Sequence, residues 1–126
     1  MATPKEFLEG FFRERTAAYA KSRTELAPVY ARYFGDPLLK QASRYMPAET
    51  VREIIEDVKQ SDRVAAAFVR LGEKDACVRM RYRLAADAES WKIIGIGRMC
   101  FLCHGTGEFN GSPCQKCNRE GWSERT

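Results

Sequence analysis

Cys77-Val78-Arg79-Met80-Arg81-Tyr82-Arg83-Leu84 alternates without a break, and that alternation places a β-strand at the centre of the fold. Successive side chains of a strand point to opposite faces. Val78, Met80, Tyr82 and Leu84 therefore line one face, and Cys77, Arg79, Arg81 and Arg83 the other. The apolar face is expected to meet helices. The arginine row admits an anion-binding or nucleic-acid stripe, but the expectation is a solvated face answered by carboxylates on neighbouring strands. This strand is read over Asp75–Ala85, between Val64–Leu71 and Trp91–Met99, which are also rich in β-branched and aromatic residues. Gly72-Glu73-Lys74 and Ala86–Ser90 are the intervening turns, and connections this short make an antiparallel meander. Val64-Ala65-Ala66-Ala67-Phe68-Val69 is apolar on both faces, so its outer face should also be covered, most simply by a homodimer partner. Gly95 and Gly97 share one face of the last strand and mark a bulge or a close backbone approach. Their G-I-G lacks the strand-to-helix setting and third glycine of a nucleotide site.

Upstream, Thr3-Pro4-Lys5-Glu6 is a helix start: Thr3 as N-cap, Pro4 at the first helical position, Glu6 closing a capping box. Phe12, Tyr19, Leu26 and Tyr33 recur every seven residues as one stripe facing one partner. Pro28 cannot continue a straight helix without losing a hydrogen bond. The reading is a helix over residues 4–26 and a second from Pro28 to Phe34, ended by Gly35-Asp36-Pro37. Residues 38–48 read as a short helix or a loop closed by Met46-Pro47. Residues 50–59 fit a helix or a strand, and periodicity does not decide. Helices followed by hairpins give an α+β plan, with the helices on one face of the sheet.

Downstream, four of the five cysteines fall in the last 27 residues as two C-x-x-C pairs, Cys100/Cys103 and Cys114/Cys117, separated by ten residues. Two residues between thiolates let a tight turn aim both sulfurs at one point, and a second turn completes a tetrahedron around Zn²⁺. Gly105, Gly107, Gly111 and Gly121 supply the positive φ angles such turns need. Two disulfides would require an oxidising compartment, and Met1–Gly10 has no basic flank followed by an apolar run to suggest secretion. A redox C-x-x-C comes singly at a helix start after a strand, whereas here the motif is doubled and loop-bound. One structural zinc is therefore expected, with all four cysteines as ligands and no open position for a catalytic water. His104 could replace Cys103 as a ligand, but its expected place is a turn position supporting a sulfur. Cys77, on the arginine-bearing face, is not expected to be a ligand.

The 126 residues suit one domain with an appendage, divided as 1–99 and 100–126, the appendage continuing the last strand. Hydrophobic content of 44% with 30% charged residues is that of a soluble globular chain, and a cytoplasmic location is expected. No apolar stretch approaches the ~20 residues that span a bilayer. The formal charge is +4. Four thiolates with one Zn²⁺ carry −2 and lower it to +2, weak support for a nucleic-acid partner, and no run of five basic residues strengthens it.

The capped N-terminal helix, the second helix and the curved sheet ending in Y-R-L-A-A-D-A-E-S-W-K-I-I-G-I resemble the nuclear transport factor 2-like cone fold over residues 4–99. That superfamily includes ketosteroid isomerase, SnoaL-type cyclases and many non-enzymatic binding domains. The resemblance implies that residues 50–59 are a strand. Cys100–Gly107 is similar to the C-x-x-C-x-G-x-G repeat of the DnaJ cysteine-rich domain, with Cys100, Cys103, Gly105 and Gly107 all matching. In the second half Cys114 and Cys117 are followed by Asn118-Arg119-Glu120-Gly121, so only the distal glycine survives. Two half-repeats suffice for one zinc, and no H-P-D motif of a J-domain is present. Enzymes on the cone fold place Asp, His or Tyr in the pocket, but the single histidine here, His104, lies in the cysteine turns. Asp36, Asp62, Asp75 and Asp87 fall in turns, where capping is their ordinary role. Glu53 and Asp57 remain as candidate bases for an isomerase- or cyclase-like reaction. The leading expectation is a non-enzymatic binding protein with a protein partner, of which the resemblance allows immunity proteins as one kind. A third reading is nucleic-acid binding through the knuckle with Arg79, Arg81, Arg83, Lys116 and Arg119.

Overall fold

The computed structural model describes residues 2–36, 38–40, 53–72, 78–87 and 89–124. Cys77, Asp75 and most of residues 38–52, including Met46-Pro47, lie outside these described residues. The chain starts with α1 (Pro4–Lys21), where Thr3 accepts from the Glu6 N–H and Glu6 reaches back to the Thr3 N–H, the expected capping box. The helix ends earlier than residue 26. Ser22 takes extended φ/ψ, caps α1 through its N–H and then accepts from Thr24 N–H to open a 3₁₀ turn, Arg23–Glu25. A short hydroxyl side chain competes with the helix for backbone donors, and here it wins. Helix α2 (Leu26–Tyr33) follows, and Pro28 sits in its first turn, where the missing N–H has no intrahelical acceptor to lose. The break therefore belongs to Ser22 and not to Pro28. It also divides the seven-residue stripe: Pro4, Leu8 and Phe11 are the buried positions of α1, while Leu26, Val29, Tyr30 and Tyr33 are those of α2.

Four strands form the expected antiparallel meander: β1 (Glu53–Ser61), β2 (Val64–Leu71), β3 (Val78–Ala86) and β4 (Trp91–Met99). Residues 53–59 are thus strand. Strands β5 (Glu108–Phe109) and β6 (Ser112–Pro113) form a separate hairpin, and β7 (Trp122–Glu124) returns to pair antiparallel with β4, giving the order β1-β2-β3-β4-β7. Ala65, Ala67, Val69, Tyr82, Leu84 and Ile93 turn inward beneath the helices and are buried. Phe11 lies at the centre, its ring 5.4 Å from Tyr33 and 5.5 Å from Phe34, and Phe12 meets Tyr82 edge-on at 5.4 Å. The inner face is filled by aromatic rings. Helices and sheet are also tied by polar bonds: Gly35 N–H donates to Ile93 O, and Trp91 Nε1–H to Ala2 O.

The sheet carries two irregularities. The β1–β2 register shifts between Ile55 and Asp57, and the β3–β4 register between Arg83 and Leu84. The second is the bulge anticipated near Gly95, and close approach is present as well. A Cβ on Gly95 would stand 2.7 Å from both Arg83 Nη2 and Glu124 Oε2, and one on Gly97 3.0 Å from Glu124 Cγ. The two glycines leave the floor on which β7 rests its carboxylate.

Candidate metal centre

Cys100 follows β4 without a linker, so the first cysteine inherits the position of the sheet edge. The two C-x-x-C halves repeat each other's bonds. Thr106 N–H donates to Cys103 O and Glu120 N–H to Cys117 O, both at 3.1 Å. Each half also clasps the other: Cys100 N–H donates to Gly121 O and Cys114 N–H to Gly107 O, both at 2.8 Å. His104 and Gly105 take φ of 53° and 84° in the first half, and Asn118 and Arg119 take 53° and 69° in the second. Arg119 thus occupies the backbone place of Gly105, in a region that L-residues enter at some cost. The distal glycines are different. A Cβ on Gly107 would lie 2.4 Å from Arg119 O, and one on Gly121 2.5 Å from Gly105 O. This crossed contact explains the unequal match to the C-x-x-C-x-G-x-G pattern: the distal glycine is required by packing, the proximal one only by φ.

The two halves bring Cys100, Cys103, Cys114 and Cys117 together, with every pair of sulfurs within 4.8 Å. Cys100 Sγ stands 3.8 Å from Cys114 Sγ, and Cys103 Sγ 3.5 Å from Cys117 Sγ. A tetrahedron with metal–sulfur bonds of about 2.3 Å has edges of about 3.8 Å, so the spacing suits a single four-coordinate ion. Cys100, Cys103 and Cys114 are buried, and Cys117, half-buried, accepts from Gly121 N–H at 3.2 Å. Burial acts to raise the Cys103 thiol, but donation from the Gly107 and Gly105 amides and the neighbouring thiols outweighs it and brings Cys103 down to about 6. Cys117 is pushed up to about 11, by burial first and then by the neighbouring sulfurs, against the Gly121 amide. One negative charge settles where the amides point, and further ones repel it. A divalent cation removes that repulsion, which is the chemistry of a closed thiolate site. His104 is exposed at its turn and is not among the clustered ligand atoms.

The outer face of the sheet continues from this centre. Trp122 packs on Phe68 at 5.5 Å, with the Arg81 guanidinium 5.6 Å from its ring, so the tail itself covers part of the apolar outer face of β2. Phe101, in contrast, is 70% exposed. The arginine row meets carboxylates, as a solvated sheet face requires. Arg83 grips Glu124 with two nitrogens, Arg81 reaches the same carboxylate at 3.4 Å, and Arg79 pairs with Glu56 at 3.0 Å. The Arg83 hydrogen bond lowers the Glu124 pKa against the opposing effect of burial, and the charges of Arg83 and Arg81 add to it. Glu124 and Glu56 carry this arrangement and are absent from the sequence reading. The phase of Trp-Ser-Glu, two residues apart on one strand face, was the available signal for Glu124.

The candidate bases lie elsewhere. Glu53 is on the helix side, ion-paired with Arg15 and within 3.4 Å of the Tyr82 hydroxyl, with both charged side chains about nine-tenths buried. Asp57 pairs with Phe68 on the outer face, is exposed, and accepts from the Val58 N–H. The two do not converge. Among the described residues no helix is long and apolar enough to cross a membrane. No protein-family model, no curated protein and no solved structure matches this chain.

Proposed function

We propose that this chain is a non-enzymatic binding protein whose C-terminal turns are organised by one structural Zn²⁺, bound by Cys100, Cys103, Cys114 and Cys117. The four-sulfur set carries the reading, because four thiolates complete a tetrahedron and leave no coordination position for a reacting water. Support also comes from the aromatic filling of the inner sheet face, from the Arg15 partner on Glu53 and from the outward placement of Asp57. Glu53 lines an open cavity of about 650 Å³ with Phe12, Arg13 and Thr16, but Arg15 and the Tyr82 hydroxyl already engage its carboxylate, and general-base work needs one free to take a proton. The helices and sheet follow the element order of the nuclear transport factor 2-like cone, and the crossed turns that of a DnaJ-type knuckle. We carry both as proposed kinships, together with a reducing, cytoplasmic setting for the thiols.

The protein contact is assigned to the outer face near Val64, which is 54% exposed beside an apolar depression formed with Ala66 and Ile94. A second copy of the chain is the proposed cover. The decisive experiment is elemental analysis of protein purified without chelator, with about one equivalent of zinc expected. Metal-free protein carrying two disulfides would sink the reading. Sedimentation of the same sample should give a dimer at about ten micromolar or above for an interface of standard size. A monomer there would remove the assembly while leaving the zinc.

A further inference from the structure

At the Arg98 end of β4, opposite the end that pairs toward Val64, the knuckle and the sheet enclose a cleft of about 360 Å³. Arg98, Met99, Phe101, Lys116 and Ser123 line it, together with two of the clustered cysteines. Apart from the cysteines of the metal centre, its charged side chains among the described residues are the two cations. Phe101 is the most exposed large apolar residue among those described, yet it stands between two clustered cysteines, Cys100 and Cys103, in a turn closed by the His104 N–H on Cys100 O. Lys116 Nζ lies 5.5 Å from the ring centre. Neither Arg98 nor Lys116 forms an ion pair among the described residues, unlike Arg79, Arg81 and Arg83.

We infer that this cleft binds single-stranded nucleic acid, with Phe101 as the stacking platform for one base and Lys116 and Arg98 as contacts for the flanking phosphates. An exposed ring with Lys116 over one face and Arg98 on the same cleft meets the two needs of such binding, a second π-face open to a base and a charged track for the backbone. An acidic peptide satisfies the cations but not the ring. Protein interfaces bury on the order of 1,000 Å² around several apolar anchors, and this cleft offers one. Duplexes keep their bases stacked on each other, so they leave Phe101 without a partner. Two cations also set the strength. The metal centre beside them carries −2 when a divalent ion is bound, so affinity should be modest, on the order of 10⁻⁵ M at physiological salt. With two phosphates neutralised, log K should fall against log salt with a slope of about −1.4.

The test is fluorescence anisotropy of zinc-loaded full-length protein with a labelled oligothymidylate of about 15 nucleotides, long enough for one site. Phe101→Ala should weaken binding on the order of ten-fold, and Phe101→Trp should restore it. Lys116→Gln combined with Arg98→Gln should bring the salt slope toward zero. Zinc content measured on each variant separates loss of the cleft from loss of the knuckle, and Phe101 is exposed enough to be replaced without unfolding it. The inference is overturned by absence of binding in the zinc-loaded protein, or by equal affinity of Phe101→Ala. It is equally overturned if duplex DNA binds as tightly, or if polyglutamate displaces the oligonucleotide at equal charge, which would assign the cleft to acidic peptides.

Discussion

At Gly107 and Gly121 a single methyl group would strike a carbonyl oxygen of the opposite half-repeat, whereas at Gly105 it would meet the Trp122 ring at 3.5 Å, an ordinary contact. All three have φ near 80°, so any side chain costs backbone strain of about 1–2 kcal/mol. Only the distal pair adds collision with backbone that cannot move without opening the partner turn. Gly121→Ala and Gly107→Ala should therefore weaken zinc affinity about 10- to 100-fold, the range seen when supports of metal ligands are removed. Gly105→Ala should keep the metal and lose only the strain energy. Competition with a zinc-binding dye measures both. Equal loss in Gly105→Ala and Gly121→Ala would show that φ alone governs these turns. Arg119, already at φ 69° in the place of Gly105, is nature's own version of the milder change.

Among the elements, β7 is the smallest and carries the most specific chemistry. Its three residues pair with Gly97, Arg98 and Met99, set Trp122 on Phe68 and place Glu124 between Arg81 and Arg83. Because the folded Glu124 pKa is lowered, its contribution is fully present above the unfolded value, about 4.3, and is lost as pH falls through the folded one. Glu124→Gln should thus lower the melting temperature at neutral pH, by an amount equivalent to about 1 kcal/mol or less for a pair this exposed. The gap between variant and parent should narrow as pH falls through the lowered Glu124 value while zinc content stays at one equivalent, since metal release would by itself free β7. A gap that persists in acid would assign the effect to packing. Strands β2 and β4 were legible to the residue, because runs rich in β-branched and aromatic side chains stop at the turn clusters 72–74 and 86–90. β7 was not, since three residues carry no period, and its pairing depends on a loop geometry set by sulfur. Helix α1 was legible at its cap but not at its end, where a lone serine outcompeted the more conspicuous Pro28.

For the molecule as a whole, the question is how far the metal supports the sheet. Residues 100–121 have few apolar side chains, and Phe101 and Phe109 are exposed, so apart from the sulfurs only Leu102 adds to their buried cluster. Such a segment cannot order itself without the ion. Once the ion is gone, β7 can remain docked only by closing a loose 22-residue loop, which costs about 3 kcal/mol of chain entropy or more. Three backbone pairs, one aromatic contact and one surface carboxylate are worth about 1–2 kcal/mol net, less than the closure requires. Removal of zinc should therefore release β7 along with the turns. Arg81 and Arg83 would lose their carboxylate, and Phe68 its cover. The sheet core between β4 and the helices would remain, held by the aromatic cluster around Phe11 and Trp91. Strong chelator should abolish amide protection over residues 100–124, red-shift the Trp122 emission, and lower the melting temperature of the remainder by several degrees. An unchanged melting temperature with zinc removed would mean that β7 lends the sheet nothing. The turns would then be an independent knuckle, free to present Phe101 without cost to the fold behind it.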